Sequence, residues 1–246
     1  MDPYEGFAER YDLSFGPFGE HDPLVVEFFR QLFAQNDIHT VLDCACGSGR
    51  HLPMFHSLGC KVFGSDISQS MLAQAQSNLA ELGLDVPLLQ ADFQDLPGYF
   101  QLSIDAVVCL GAIGFMKGEA EFLRAFESMG QVLRPGGILI LTAIPTDRQW
   151  KEKQRFSLNS NSPDFSRLFV IDYLEEKARY NILDIFHSHN QSDLKVWSAE
   201  LHVLLRDDQE RLLKQAGFRK VDFFGAFDFS AYDKETSNSL ITVANK

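Results

Sequence analysis

The chain has 246 residues, 45% of them apolar, and a formal net charge of −12. That length suits one α/β domain with an elaboration or a small cap. The acidic balance, without a basic run, argues against a protein that grips nucleic acid through its phosphates. The lack of any run of about 18 apolar residues argues against a membrane span.

Residues 1–20 set Tyr4, Phe7, Tyr11, Phe15 and Phe18 among glycines, too apolar a pattern for a disordered tail. They read either as a strap on the core or as a lid over a ligand. A helix follows over 22–35, with Asp22 as its cap, Pro23 at its first position and Leu24, Val25, Phe28, Phe29, Leu32 and Phe33 on one face. Strand one is expected at 39–44. It runs into Asp43-Cys44-Ala45-Cys46-Gly47-Ser48-Gly49-Arg50, a glycine loop of the kind that turns sharply and lets a ligand approach bare backbone N–H groups. A helix is expected over about 48–58, ended by Gly59. Strand two, 61–66, ends at Asp66, and Ser68 caps the next helix. Strand three, 87–92, ends at Asp92, and strand four, 104–110, leads into Gly111. A helix over 119–133 stops at Pro135-Gly136-Gly137, and strand five covers 138–143.

Strands alternating with helices predict a Rossmann-like, doubly wound and mostly parallel seven-stranded sheet with right-handed crossovers. Its carboxyl edge binds ligands, and Asp43, Asp66, Asp92 and Gly111 all fall there. Beyond strand five the rhythm breaks. Residues 145–166 read as a polar loop, and 167–174, 178–188 and 195–206 as strands of an antiparallel β insertion. A helix capped by Asp207 or Asp208 through Ala216, a strand over 218–224 and a last strand over 240–244 complete the sheet. The predicted organisation is a cofactor-binding core of residues 1–144 and 207–246, in which 1–20 form a lid, and a substrate cap over 145–206.

The four cysteines, Cys44, Cys46, Cys60 and Cys109, lack zinc-ribbon spacing and read as buried free thiols. The start Met1-Asp2-Pro3-Tyr4-Glu5 has no apolar signal core, so a cytoplasmic protein is expected.

Two nucleotide cofactors compete. The dinucleotide fingerprint needs a third glycine, and Gly47-Ser48-Gly49-Arg50-His51-Leu52 lacks it. Asp43 before the loop repels a pyrophosphate and suits a cationic amino-acid moiety. Asp43 to Gly49 resembles motif I of the class I S-adenosylmethionine-dependent methyltransferases in its alanine-bearing form. Gly64-Ser65-Asp66-Ile67-Ser68 with Met71, Gln90-Ala91-Asp92-Phe93 and Leu133-Arg134-Pro135-Gly136-Gly137 resemble the family's later motifs. The likeness covers about 35–145 and returns at 207–246.

The resemblance implies S-adenosyl-L-methionine as cofactor. It implies that Ala45, Gly47 and Gly49 line the methionine moiety with Asp43 orienting the amino group, and that Arg50 approaches the carboxylate. Asp66 would hold the ribose hydroxyls, Ile67 and Met71 would flank the adenine, and Asp92 and Phe93 would meet its edge. Leu110 and Gly111 would close the methionine end, and Tyr11 would cover the cofactor. The plainer alternatives are strand-end helix caps for Asp66 and Asp92, packing for Tyr11, and structural polar roles for His51 and His56.

The layout is similar to that of small-metabolite methyltransferases, the glycine/sarcosine N-methyltransferase group among them. A small-molecule acceptor is therefore implied, with an amine nitrogen as the candidate atom, and no nucleic-acid or membrane partner. No Asn-Pro-Pro-Tyr follows strand four, which argues against adenine or amide nitrogen. Methyl transfer needs alignment more than a catalytic triad. Tyr11, Arg148 and His187 are candidate catalytic residues, and Tyr173, Tyr180, His189 and Trp197 candidate pocket residues; no metal site is seen. The rival readings are a nicotinamide oxidoreductase and a module that binds the methyl donor without transferring it.

Overall fold

The computed structural model describes residues 2, 4–101, 103–188 and 192–246. The elements in chain order are α1 (Ala8–Tyr11), α2 (Pro23–Asn36), β1 (Thr40–Asp43), α3 (Leu52–Ser57), β2 (Lys61–Asp66), α4 (Gln69–Glu81), β3 (Leu88–Gln90), β4 (Ile104–Leu110), α5 (Glu119–Val132) and β5 (Leu133–Ala143). After these come α6 (Asp147–Glu152), β6 (Phe156–Asn161), β7 (Phe165–Tyr173), β8 (Lys177–His187), β9 (Ser192–His202), α7 (Arg206–Gln215), β10 (Lys220–Phe224) and β11 (Leu240–Asn245).

The main sheet has seven strands in the order β10-β11-β5-β4-β1-β2-β3. β5-β4-β1-β2-β3 are mutually parallel, and β11 and β10 are antiparallel. Strand order reverses at β1 and β4, so the crevice at their carboxyl ends is the point at which such sheets take ligands. Alternate residues of the central strands feed two cores. Val41, Val108 and Ile140 face α2, α3 and α4 through Phe29, Phe55 and Leu79. Leu42, Val107 and Leu139 face α5 and α7 through Phe126 and Leu212. The abundance of phenylalanine is partly explained by a ring cluster in which Phe28 meets Phe229 at 4.4 Å and Phe29 meets Phe55 at 5.1 Å.

Helix starts follow their caps. Asp22 accepts from the Leu24 amide and Ser68 from the Met71 amide. Three expectations need correction. The helix expected from residue 48 begins at Leu52, because Gly47 and Gly49 hold φ at +56° and +84° and keep the loop out of helical conformation. The segment read as a loop over 145–166 contains α6, closed by a capping box between Thr146 and Gln149, and β6. β6 is a short, exposed edge strand whose alternation, Phe156 and Leu158, stops after two apolar residues, which is why its signal is weak. The last strand of the insertion ends at His202, and α7 has Leu205 rather than Asp207 or Asp208 at its N-cap.

β6, β7, β8 and β9 form a separate antiparallel sheet. One face carries Ile171, Ala178, Tyr180 and Leu201, packed with Phe115 and Trp150. Among the described residues, no helix is long and apolar enough to cross a membrane. All four cysteines are free and buried.

Candidate active site

The loop after β1 is drawn towards β2. The Gly47 amide donates to Asp66 Oδ2 at 2.9 Å, and the Ser68 amide to Oδ1 at 2.9 Å. Asp66 therefore caps the next turn and braces the glycine loop with one carboxylate. Four lone-pair positions leave room for further donors. Both glycines are favoured by their positive φ and by tight surroundings. A Cβ at Gly47 would stand 3.2 Å from Met71 Cε, and one at Gly49 3.1 Å from Ala75 Cβ.

Asp43 is 1% exposed and, among the described residues, has one weak amide contact, from Ala45 at 3.4 Å. The nearest basic group is His51, whose Nδ1 is 3.9 Å away. Burial, with Asp66 close by, pushes the Asp43 carboxyl up to about 7. Burial pushes His51 down to about 3, helped by His21 and Arg50, so His51 is neutral. A buried carboxylate without a countercharge is costly, and it suits a cation brought from outside.

Two cavities meet at Ala45. The larger, about 450 Å³, is lined among others by Asp66, Ile67, Asp92, Phe93, Gln94 and Tyr4. The smaller, about 270 Å³, is lined among others by Tyr11, Gly47, Arg50, His51 and Leu110. The Gln94 amide nitrogen and backbone hold Asp92, while Gln94 Oε1 is buried with no donor among the described residues. Gly111 sits just beyond Leu110, with φ +71° and its amide on Thr142.

The N-terminal segment roofs both cavities. Asp12 accepts from Ser48 Oγ at 2.8 Å and from Asn78 at 3.0 Å, tying the roof to the glycine loop. Trp197 of β9 stacks on Phe7 with centroids 4.5 Å apart and planes 4° apart, and on Tyr4 at 5.2 Å. Beneath them lies a buried Arg–Asp–Arg group. Arg10 and Arg167 both donate to Asp184, which is wholly buried; Arg167 Nε reaches it at 2.6 Å. Burial, with Asp12, Asp66 and Asp43 adding to it, pushes the Tyr11 phenol up to about 12, so it is neutral.

Several candidates are placed elsewhere. Arg50 lines the smaller cavity, but its guanidinium donates to the carbonyls of Gly16, Pro17 and Glu20 and lies over the Phe15 ring. It holds the strap. Arg148 is not brought to either cavity: it donates to Glu152, Asn238 and the Thr236 carbonyl on the outer side of α6. His187 likewise lies away, hydrogen-bonded to Ser166 Oγ at 2.8 Å in the cap sheet. Tyr173 and Tyr180 line a separate cavity of about 190 Å³ with Ile144 and Phe169. Met71 is buried behind Gly47 and lines neither cofactor cavity. His189 lies outside the described residues. Residues that sequence reasoning missed include Tyr4, Gln94, Phe115 and Met116 in the larger cavity and His21 in the smaller one. Only the aromatic spacing of residues 4–15 hinted at any of them.

Residues 41–137 match a family model described as a methyltransferase domain. The chain is 26% identical, over 98% of its length and 89% of the relative's, to a glycine/sarcosine N-methyltransferase of Aphanothece halophytica. The chain is an S-adenosylmethionine-dependent methyltransferase. This supersedes the nicotinamide reading. The same fold is seen in an S-adenosylmethionine-dependent methyltransferase from Clostridium acetobutylicum (TM-score 0.81, 16% identity, 98% of both chains). It recurs in CalS10, an amino pentose methyltransferase from Micromonospora echinaspora (TM-score 0.74, 21% identity, 100% of this chain and 97% of that one). The methyltransferase takes S-adenosylmethionine as its cofactor. The uncompensated carboxylate of Asp43 and the orphaned Gln94 Oε1 fit its cationic and amino groups.

Proposed function

We propose that this methyltransferase acts on the amine nitrogen of a small polar acceptor. The observation that carries the reading is the end-to-end match to the glycine/sarcosine N-methyltransferase, which takes in the N-terminal roof and the cap sheet as well as the cofactor core. The amino pentose methyltransferase neighbour supports the same chemistry on a different acceptor. When bound, S-adenosylmethionine supplies a methyl carbon on a positively charged sulfur, which an amine lone pair displaces in line.

On this reading, the chain's own residues orient and enclose. Asp43 pairs with the cofactor ammonium beside Ala45, Gly47 and Gly49. Asp66 uses the acceptor positions left by the Gly47 and Ser68 amides for two ribose hydroxyls. Ile67 and Phe93 flank the adenine, with Asp92 and Gln94 at its amino edge. Leu110 and Gly111 border the methionine end. Tyr11 stays protonated and lies over the reacting centre, while Tyr4, Phe7 and Trp197 exclude water. Acids such as Asp66, Asp92 and Glu121 around the larger cavity favour a cationic donor and an ammonium product.

The test is an acceptor screen with the purified chain and S-adenosylmethionine, following release of S-adenosylhomocysteine over amines, carboxylic acids, phenols and thiols. Turnover with amines is expected. Turnover confined to phenols or thiols overturns the amine assignment. Tight donor binding with no turnover on any class favours the sensing module instead.

A further inference from the structure

The cap sheet has two faces, and only one is used by the methyltransferase site. Arg167, Asp184 and Trp197 look inward to the N-terminal roof. By the period of two, their neighbours Leu168, Leu183 and Val196 look outward. The register joins them into one row: Leu158 opposes Leu168, Leu168 opposes Leu183, and Leu183 opposes Val196. Leu158 is 63% exposed and Val196 56%. Phe156, 63% exposed, stands on one side of the row and Leu194, 55% exposed, on the other. An antiparallel sheet with one face on a core should be polar on the other, and this row is an apolar stripe across an otherwise polar face.

We infer that this outer face is the interface of a two-fold dimer, in which the cap sheets of two copies pack face to face. Charge argues for a second copy of this chain. The molecule carries a formal charge of −12, so two copies repel over most of their surface. The rim of this face does not share that charge. Arg155 pairs with Asp172 at 2.6 Å, and Arg179 and Lys177 both pair with Glu200. Three bases against two acids leave the face close to neutral, the place where self-repulsion is least.

Size argues the same way. Four strands about 4.8 Å apart and about ten residues long span on the order of 600 Å² before side-chain relief is counted. A specific interface needs roughly 800 Å² per partner. A two-fold contact also uses one patch twice, which suits a leucine and valine row that is its own complement. Sheet faces pack aligned about 10 Å apart, with such rows interdigitating.

The position has a consequence for the site. Three residues of the row adjoin ones that hold the roof: Leu168 adjoins Arg167, Leu183 adjoins Asp184 and Val196 adjoins Trp197. The dimer therefore braces the strands that carry the Arg–Asp–Arg group.

Sedimentation of the purified chain at micromolar concentration tests this. A species of twice the 27.8 kDa chain mass is expected. The double variant Leu158→Glu with Val196→Glu changes two side chains that are already more than half exposed, so its circular dichroism should match the parent while its mass halves. A parent that sediments as a monomer overturns the proposal. So does a folded double variant that remains a dimer, which would place the contact on another surface. A parent that pairs only with a different protein also overturns it.

Discussion

Arg167 Nη1, on the cap sheet, donates to the carbonyl of Tyr11 at 3.1 Å, across 156 positions of sequence. The same guanidinium reaches Ser14 Oγ at 2.7 Å and the Arg10 carbonyl at 2.7 Å. The cap thus fixes the conformation of the segment that roofs both cavities, and Asp184 supplies a countercharge that Arg10 and Arg167 share.

Removing Asp184 leaves two buried guanidinium groups without a countercharge. Asp184→Ala should lose about 3–5 kcal/mol of stability, measured by urea unfolding. Arg167→Lys keeps the charge but loses the fork that spans Asp184 and the roof carbonyls. It should fold and bind S-adenosylhomocysteine roughly three- to tenfold more weakly, on the order of 1 kcal/mol per lost hydrogen bond. Calorimetry giving an unchanged Kd would separate the roof from cofactor binding.

Asp66→Ala removes an acceptor for two backbone amides as well as for the proposed ribose hydroxyls. Cofactor affinity should fall by about 1.5–3 kcal/mol, the range for hydrogen bonds to a charged group. An affinity equal to that of the parent would take Asp66 out of the binding site.

Asp43 should confer a pH dependence of known sign. Its folded-state pKa is raised to about 7 from 3.8, so its contribution to stability is complete below the unfolded value and is lost as pH rises through about 7. A tenfold difference in acidity between the folded and unfolded chain corresponds to about 1.4 kcal/mol, which makes roughly 4 kcal/mol an upper bound. Cofactor affinity should move oppositely, since the ammonium pairs with the ionised carboxylate. Binding below about pH 7 should release a proton, seen as a buffer-dependent heat in calorimetry. In Asp43→Asn that buffer dependence should vanish. A parent whose binding heat ignores the buffer contradicts the assignment.

Arg148→Ala and His187→Ala should leave kcat and KM within about twofold of the parent, the usual reach of a surface change of about 0.5 kcal/mol. Steady-state kinetics on an acceptor found in the screen checks this. A loss of a hundredfold in kcat for either would restore it to the reacting centre.

Gly49→Ala should lower stability by about 1–2 kcal/mol, because φ of +84° disfavours any Cβ and the new methyl group meets Ala75. Thermal unfolding reads this directly. A Tm equal to that of the parent would mean that the loop relaxes freely.

The cofactor side of the molecule was legible in its sequence because its signals are local. Apolar strands ended by Asp43 and Asp66, a loop demanding glycine at positive φ, and helix caps at Asp22 and Ser68 each depend on a few neighbouring residues, while strand three stops at Gln90, two residues short of the expected Asp92. Right-handed crossovers then carry the strand ends to one edge without further information. The acceptor side was not legible in this way. Whether Tyr4 or Arg148 reaches a cavity depends on where the cap sheet docks. That the inward residues are Arg167 and Asp184, with Leu168 and Leu183 outward, depends on docking together with register, since a one-residue slip would exchange the two faces. Those contacts join residues more than 150 positions apart, and only the tertiary structure chooses among the many pairings that such distances allow.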